Sequence, residues 1–187
     1  MSFHFFSQTT SIAMTSMVRG APLYKRIAVP KHIFVLAVVV SDGVNFLLSL
    51  IPLALLIVLL RHPLTPALFF LPVSLLILVA VTTGVSFIVA TITVFFDDLT
   101  QFYQVILQAV MYLSALFYPI SIVPPGWRIF IDANPMYHVV QLVRYPVYYG
   151  ALPPVASIVC ASLAAAVALA AGVWLFTRNS DRFVYYV

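Results

Sequence analysis

The run IFVLAVVVSDGVNFLLSLIPLALLIVLL, residues 33–60, decides the class of this protein. A helix that crosses a bilayer needs about 20 largely apolar residues, and this run exceeds that length with Asp42 as its single charge. Pro52 predicts a kink within it. The whole chain agrees, because 64% of its 187 residues are hydrophobic and 7% are charged, against about a quarter charged in soluble domains. We therefore predict an all-α integral membrane protein.

Three further runs predict spanning helices, at residues 67–96, 105–118 and 153–176. The loop at residues 61–66 is too short to bridge a distance, so the first two spans should form an antiparallel hairpin. The third run is short, and we expect residues 101–104 to belong to its helix. Small side chains recur on one face of the fourth span, which favours close helix packing in lipid. They are Ser157, Ala161, Ala165, Ala168 and Gly172.

Basic residues set the predicted orientation. The net charge is +4, but the charges fall mostly between apolar runs, where they orient a membrane protein and do not indicate nucleic-acid binding. A cytoplasmic amino-terminal side places six Lys and Arg residues inside and three outside. The six are Arg19, Lys25, Arg26, Lys31, Arg178 and Arg182, and the three are Arg61, Arg128 and Arg144. Residues 19–32 and the carboxyl terminus are thus expected in the cytoplasm.

The region between the third and fourth spans, residues 119–152, is too interrupted by Pro and Gly to cross the membrane. We expect short re-entrant helices that dip into the outer leaflet. Asn134 and Pro135 predict the cap and first residue of one of them. Helical spacing places His138, Gln141, Tyr145 and Tyr148 near one face of it.

Aromatic side chains are frequent in and around this outer region. They form either an interfacial belt or a surface that stacks on sugars or cages a lipid headgroup. Arg144, which lies among them, either meets a phosphate or extends to the headgroups. The aromatic residues are Phe117, Tyr118, Trp127, Phe130, Tyr137, Tyr145, Tyr148 and Tyr149.

The usual constellations of an enzyme are absent from the sequence. The glycines form no phosphate-cradling loop, the four histidines have no metal-ligand spacing, and Cys160 is single. We predict no catalytic residue, no bound cofactor and no metal.

The acidic residues at two sites each allow two interpretations of their role. Asp97 and Asp98 form either a hydrated cytoplasmic turn, one of them capping a helix that begins at Leu99, or a contact to a partner subunit. Asp42, with Asn45 on its helical face, lies inside a span, where a charge is costly. It serves either proton coupling or substrate contact, or an interhelical site near the cytoplasmic boundary.

Three stretches give the chain a resemblance to a known family. They are LYKRIAVPKHIFVLA, from residue 23, FFDDLTQFYQVILQAVMYLSALFYPISIVP, from residue 95, and NPMYHVVQLVRYPVYYG, from residue 134. Their order and spacing resemble the permease subunits of type-2 ABC exporters that move lipid-linked polysaccharide, O-antigen or teichoic acid.

The resemblance implies a single transmembrane domain over residues 1–187, two permease subunits per pore, in a homodimer or heterodimer, and a separate ATPase that holds ATP and Mg. It implies that residues 19–32 are a cytoplasmic coupling segment, with Leu23, Tyr24, Lys25, Arg26 and Pro30 contacting the ATPase. It also implies an outer gate or substrate exit in the bacterial plasma membrane. The residues expected there are Tyr118, Pro119, Trp127, Asn134, Pro135, Arg144 and Tyr148.

The chain departs from the family in two places. The family's interfacial helix and first span have no counterpart before the coupling segment, so we expect an amino-terminally shortened chain with only a partial first helix. Relatives commonly have Phe-Arg-Asp where this chain has Phe96, Asp97 and Asp98.

Three functions are alternatives to polysaccharide export. They are a drug or lipid exporter of the same family, a proton-coupled carrier using Asp42, and a partial subunit without transport of its own.

Overall fold

The computed structural model describes residues 1–24, 30–59, 65–96, 98–116, 118, 122–180 and 183. These residues form helices and no strands, which confirms the predicted all-α class. The long helices are α1 (Ser2–Tyr24), α2 (His32–Leu59), α3 (Leu71–Phe95), α4 (Leu99–Leu113) and α7 (Val155–Asn179). A 3-10 turn, Pro66–Phe70, leads into α3. The outer region contributes α5 (Pro125–Asp132), α6 (Pro135–Arg144) and a π-helical turn, Tyr145–Tyr149.

Among the described residues, three helices are long and apolar enough to cross a membrane, at His32–Ile57, Pro66–Phe95 and Val155–Asn179. In the first and third only 22% and 17% of the most apolar window is buried, so their remaining surface is available to lipid. The helix of the other predicted span, α4, has 15 residues. That length is about 22 Å at 1.5 Å per residue, less than the roughly 30 Å of hydrocarbon. Residues 101–104 lie within α4, as predicted.

Helix α3 is central, and α7 packs against it more extensively than any other helix does. Their contact is close because small residues meet there. A Cβ added at Gly84 would lie 2.3 Å from the carbonyl carbon of Ala168, and one added at Gly172 would lie 2.3 Å from the carbonyl oxygen of Gly84. The predicted small face of α7 is thus the face that packs on α3.

Helix α1 packs against α2 and α3. The ring of Phe5 lies 4.9 Å from that of Phe46, and a Cβ added at Gly20 would lie 2.8 Å from the ring of Phe34. Helix α1 is therefore antiparallel to α2 and covers its first half. The first helix, which we expected to be partial, has 23 residues. It continues through Tyr24 and therefore includes the first residues of the predicted coupling segment, residues 19–32.

One apolar cluster joins five parts of the chain at the end of the bundle where α2 begins. It contains Val35 of α2 with Phe87 and Val94 of α3, which makes α2 and α3 antiparallel as predicted. Met17 of α1, Phe176 of α7 and Phe183 beyond α7 also belong to it. The turn before α2, the end of α3 and the end of α7 therefore share one end of the bundle.

Candidate functional site

Two side chains of the outer region support the end of α4. Ala115 has φ 47°, in the left-handed region, and this turn ends the helix. Arg144 donates from Nη2 to the carbonyl oxygens of Ala115 and Leu116, at 3.2 Å each. Asn134 donates from Nδ2 to the hydroxyl of Ser114 at 3.1 Å. Arg144 is half-buried, and its guanidinium group stabilises the carbonyl end of α4 through these two hydrogen bonds.

Asn134 also begins α6, as predicted. Its Oδ1 accepts a hydrogen bond from the backbone N–H of Met136 at 3.0 Å, and Pro135 is the first residue of the helix. This N-cap satisfies an amide that the helix leaves unpaired, and Pro135 lacks the N–H that would need a partner.

His138, buried on α6, links α5 to α7. Its Nε2 lies 2.8 Å from the carbonyl oxygen of Asp132 and its Nδ1 lies 3.3 Å from the hydroxyl of Ser157. A carbonyl only accepts, so Nε2 carries a proton, and in the neutral imidazole Nδ1 then accepts from the hydroxyl of Ser157. Ser74 of α3 donates to the carbonyl oxygen of Leu142 at 2.8 Å. These bonds fix α6 against α3 and α7.

The predicted exit residues do not form a single cluster. Tyr118 and Trp127 line one cavity of about 430 Å³, whose walls include Leu113 and Phe130. The hydroxyl of Tyr118 donates to the carbonyl oxygen of Tyr112 at 2.7 Å. Tyr148 is 71% exposed and does not line this cavity. Pro119 lies outside the described residues.

A second cavity of about 430 Å³ lies between α1 and α2, beside Asp42 and Asn45. Asp42 is half-buried, and its Oδ2 is enclosed without a hydrogen-bond partner among the described residues. Thr9, fully buried, lines the same cavity, and its hydroxyl also lacks a partner there. The other lining residues are polar and apolar side chains of both helices, namely Met1, His4, Phe5, Gln8, Phe46 and Ser49. Asp42 and Asn45, three residues apart on α2, therefore line one pocket between α1 and α2.

Most of the predicted coupling residues cannot be placed. Lys25 and Arg26 lie outside the described residues, and Leu23 and Tyr24 are described only as backbone in the last turn of α1. Pro30 is exposed just before α2.

Asp98 is exposed and directly precedes Leu99, the predicted first residue of α4. Its carboxylate makes no capping hydrogen bond, so the predicted start of the helix is confirmed without an Asp98 side-chain cap. Asp97 lies outside the described residues.

Comparison with known proteins assigns the family. The family model described as ABC-2 type transporter matches residues 1–148. The chain belongs to the ABC-2 type transporter family. Two proteins of Klebsiella pneumoniae named O-antigen export system permease protein RfbA are similar to it, at 24% identity over 135 residues and 26% over 137 residues. Each alignment covers 72% of this chain and 52% of the relative. The chain thus spans about half the length of these curated relatives.

The structural roles of two residues in this ABC-2 type transporter chain, Arg144 and His138, were not predicted from the sequence. Nothing in the local sequence of α6 indicated that Arg144 would reach the end of α4, and His138 was placed on the correct helix without its partners. Both contacts join segments distant in sequence. A buried His on an apolar helix face, which needs hydrogen-bond partners, was the one available signal.

Proposed function

We propose that this chain is the membrane-embedded permease part of an ATP-driven exporter that moves a lipid-linked polysaccharide or a similar amphiphile outward across the bacterial plasma membrane. The proposal rests on the match to the ABC-2 type transporter family model over residues 1–148. The names of the two Klebsiella relatives favour a polysaccharide cargo. A drug or another lipid remains the alternative cargo class.

ATP hydrolysis belongs, in this proposal, to a separate ATPase subunit that holds ATP and Mg. That subunit docks at the end of the bundle where α2 begins, which we place in the cytoplasm from the Lys and Arg distribution. The end of α1 at Tyr24, the start of α2 and Asp98 lie at this same end of the bundle. Lys25 and Arg26 then offer charge to the ATPase, and Asp97 and Asp98 form a second contact.

The outer helices are proposed to form the exit gate of a pore built from two permease subunits. Helix α6 is fixed to α3 and α7 by His138 and Ser74, whereas α5 presents Trp127, Ile129 and Phe130 with more than half of each side chain exposed. In this proposal α6 stays in place against α3 and α7. The passing amphiphile contacts Tyr118 and Trp127 in the cavity that they line.

The coupling proposal is tested by reversing charge at the proposed docking loop. The double change Lys25→Glu plus Arg26→Glu should reduce both co-purification of the ATPase and export. Arg128→Glu, at the opposite end of the bundle, is the matched control for charge reversal and should retain co-purification of the ATPase. Intact ATPase association and export in the double variant would show that these residues do not couple the subunits. A different, full-length permease in the purified complex would instead identify this chain as a partial subunit.

The pocket around Asp42 favours a second candidate function, a proton-coupled carrier. The Oδ2 atom of Asp42 is enclosed without a hydrogen-bond partner among the described residues, and a carboxylate inside a membrane is costly and typical of functional positions. The carrier hypothesis predicts that transport continues without the ATPase and stops in Asp42→Asn. The exporter hypothesis predicts the opposite in both experiments.

A further inference from the structure

A groove of about 670 Å³ lies between the start of α2, the second half of α3 and the last turns of α7. Phe87 and Phe176, both buried, form its floor and pack edge to face, with ring centroids 5.0 Å apart. Leu36, Leu169 and Val173 line its sides. From Leu169 to the end of α7 the helix rises about 15 Å, so the groove is an elongated apolar surface.

A cationic group stands at one end of this groove. Lys31 is half-buried, donates from Nζ to the carbonyl oxygen of Ser180 and lies 5.9 Å from the centroid of the Phe183 ring. No described residue supplies a carboxylate to it. An ammonium group has three N–H donors, so one carbonyl leaves donors for another acceptor. His32, exposed beside it, adds the polar atoms of its ring.

Neighbouring residues of α7 mark the depth of this cationic end. Trp174 is exposed, and the guanidinium carbon of Arg178 lies 5.1 Å from its ring centroid. Trp and Arg at the end of a spanning helix are typical of the membrane–water interface. Lys31 therefore lies at headgroup level, while Leu36 and Leu169 lie toward the hydrocarbon.

We propose that this groove binds one anionic phospholipid of the adjacent leaflet. The lipid phosphate pairs with Lys31 and His32, and an acyl chain follows Leu36, Leu169 and Val173. The charge on Lys31 selects an anionic headgroup over a zwitterionic one, because basic pockets between spanning helices attract anionic lipids. The bound lipid joins the start of α2 to the end of α7. This proposal does not depend on the exporter function.

Native mass spectrometry of the full chain in detergent tests the proposal. The probes are phosphatidylglycerol and phosphatidylcholine with identical acyl chains. Wild type should retain phosphatidylglycerol in preference, and Lys31→Gln should weaken that binding about five-fold, the effect of one basic residue near an anionic headgroup. Arg178→Gln is the control for a charge at the same depth outside the groove and should change little.

The apolar part of the site has its own matched pair. Leu36→Trp fills the groove without changing charge and should lower retention of phosphatidylglycerol, whereas Val40→Trp, one turn further along α2 and 64% exposed, should not. Lys31→Arg keeps the charge and should bind like wild type, which covers the case in which Lys31→Gln fails to fold.

Two results would overturn the proposal. Equal retention of both lipids by wild type, or equal losses in Lys31→Gln and Arg178→Gln, would indicate only general attraction of lipid to the surface. Release of phosphatidylglycerol by millimolar inorganic phosphate, with no effect of Leu36→Trp, would indicate a site for phosphate alone.

Discussion

The contact between α3 and α7 gives a sharp test of the fold. In Gly84→Ala the new methyl group would lie 2.3 Å from the backbone of Ala168, about 1 Å inside the distance of roughly 3.5 Å at which carbon atoms pack. The obstructing atoms are backbone, so no side-chain rotation removes the clash and α7 must move. Overpacking of this kind costs about 1–3 kcal/mol, and we expect Gly84→Ala to lose about 3 kcal/mol of unfolding free energy.

Gly43→Ala in α2 is the matched control, because a Cβ there meets nothing within 4 Å. Replacing a helical Gly by Ala in open space should stabilise the helix by about 0.5–1 kcal/mol. Gly84→Ala and Gly43→Ala should therefore change the unfolding free energy in opposite directions.

The assay is unfolding in mixed micelles by increasing SDS, followed by the fluorescence of Trp174 on α7 in a Trp127→Phe background. A loss below about 0.5 kcal/mol in Gly84→Ala, or an equal loss in Gly43→Ala, would refute the close packing of α3 on α7.

Three further predictions concern the outer region and use the same unfolding assay. Ala115→Gly should raise the unfolding free energy by up to about 1 kcal/mol, since a left-handed backbone is costly for a residue with a Cβ; a decrease would contradict the geometry of this turn. Arg144→Met keeps the stem but removes both hydrogen bonds to the end of α4, and should cost about 2–3 kcal/mol, while the exposed Arg128→Met should cost far less. Equal costs would show that Arg144 does not support α4. His138→Phe leaves the hydroxyl of Ser157 without its acceptor and should cost about 1–3 kcal/mol; an unchanged unfolding free energy would contradict the link between α6 and α7.

The spanning helices were predictable because hydropathy and length are local properties. Apolar runs gave α2, α3 and α7, and the sequence Asn134-Pro135 gave the start of α6, since capping involves residues close in the chain. The small residues of α7 indicated which face packs, although the partner position, Gly84 on α3, required the structure.

The length of α4 and the positions of the exit residues were not predictable in the same way. Ser114 and Ala115 carry no local stop signal, because a left-handed turn usually has Gly where this chain has Ala115. Arg144 reaches the end of α4 from 29 residues away in sequence, and such long-range contacts have no periodic signature. Tyr118, Trp127 and Phe130 share a cavity, whereas Tyr148 follows α6 on an exposed π-helical turn and does not line it.

We propose that this chain passes an amphiphile through the membrane with energy from ATP hydrolysed on a partner subunit. The most direct measurement is ATP hydrolysis and outward movement of a lipid-linked glycan in proteoliposomes that contain the purified complex. The glycan should stimulate hydrolysis, its movement should require ATP, and Lys25→Glu plus Arg26→Glu should abolish both effects. Movement that proceeds without ATP, or a purified chain that associates with no ATPase, would contradict the proposal.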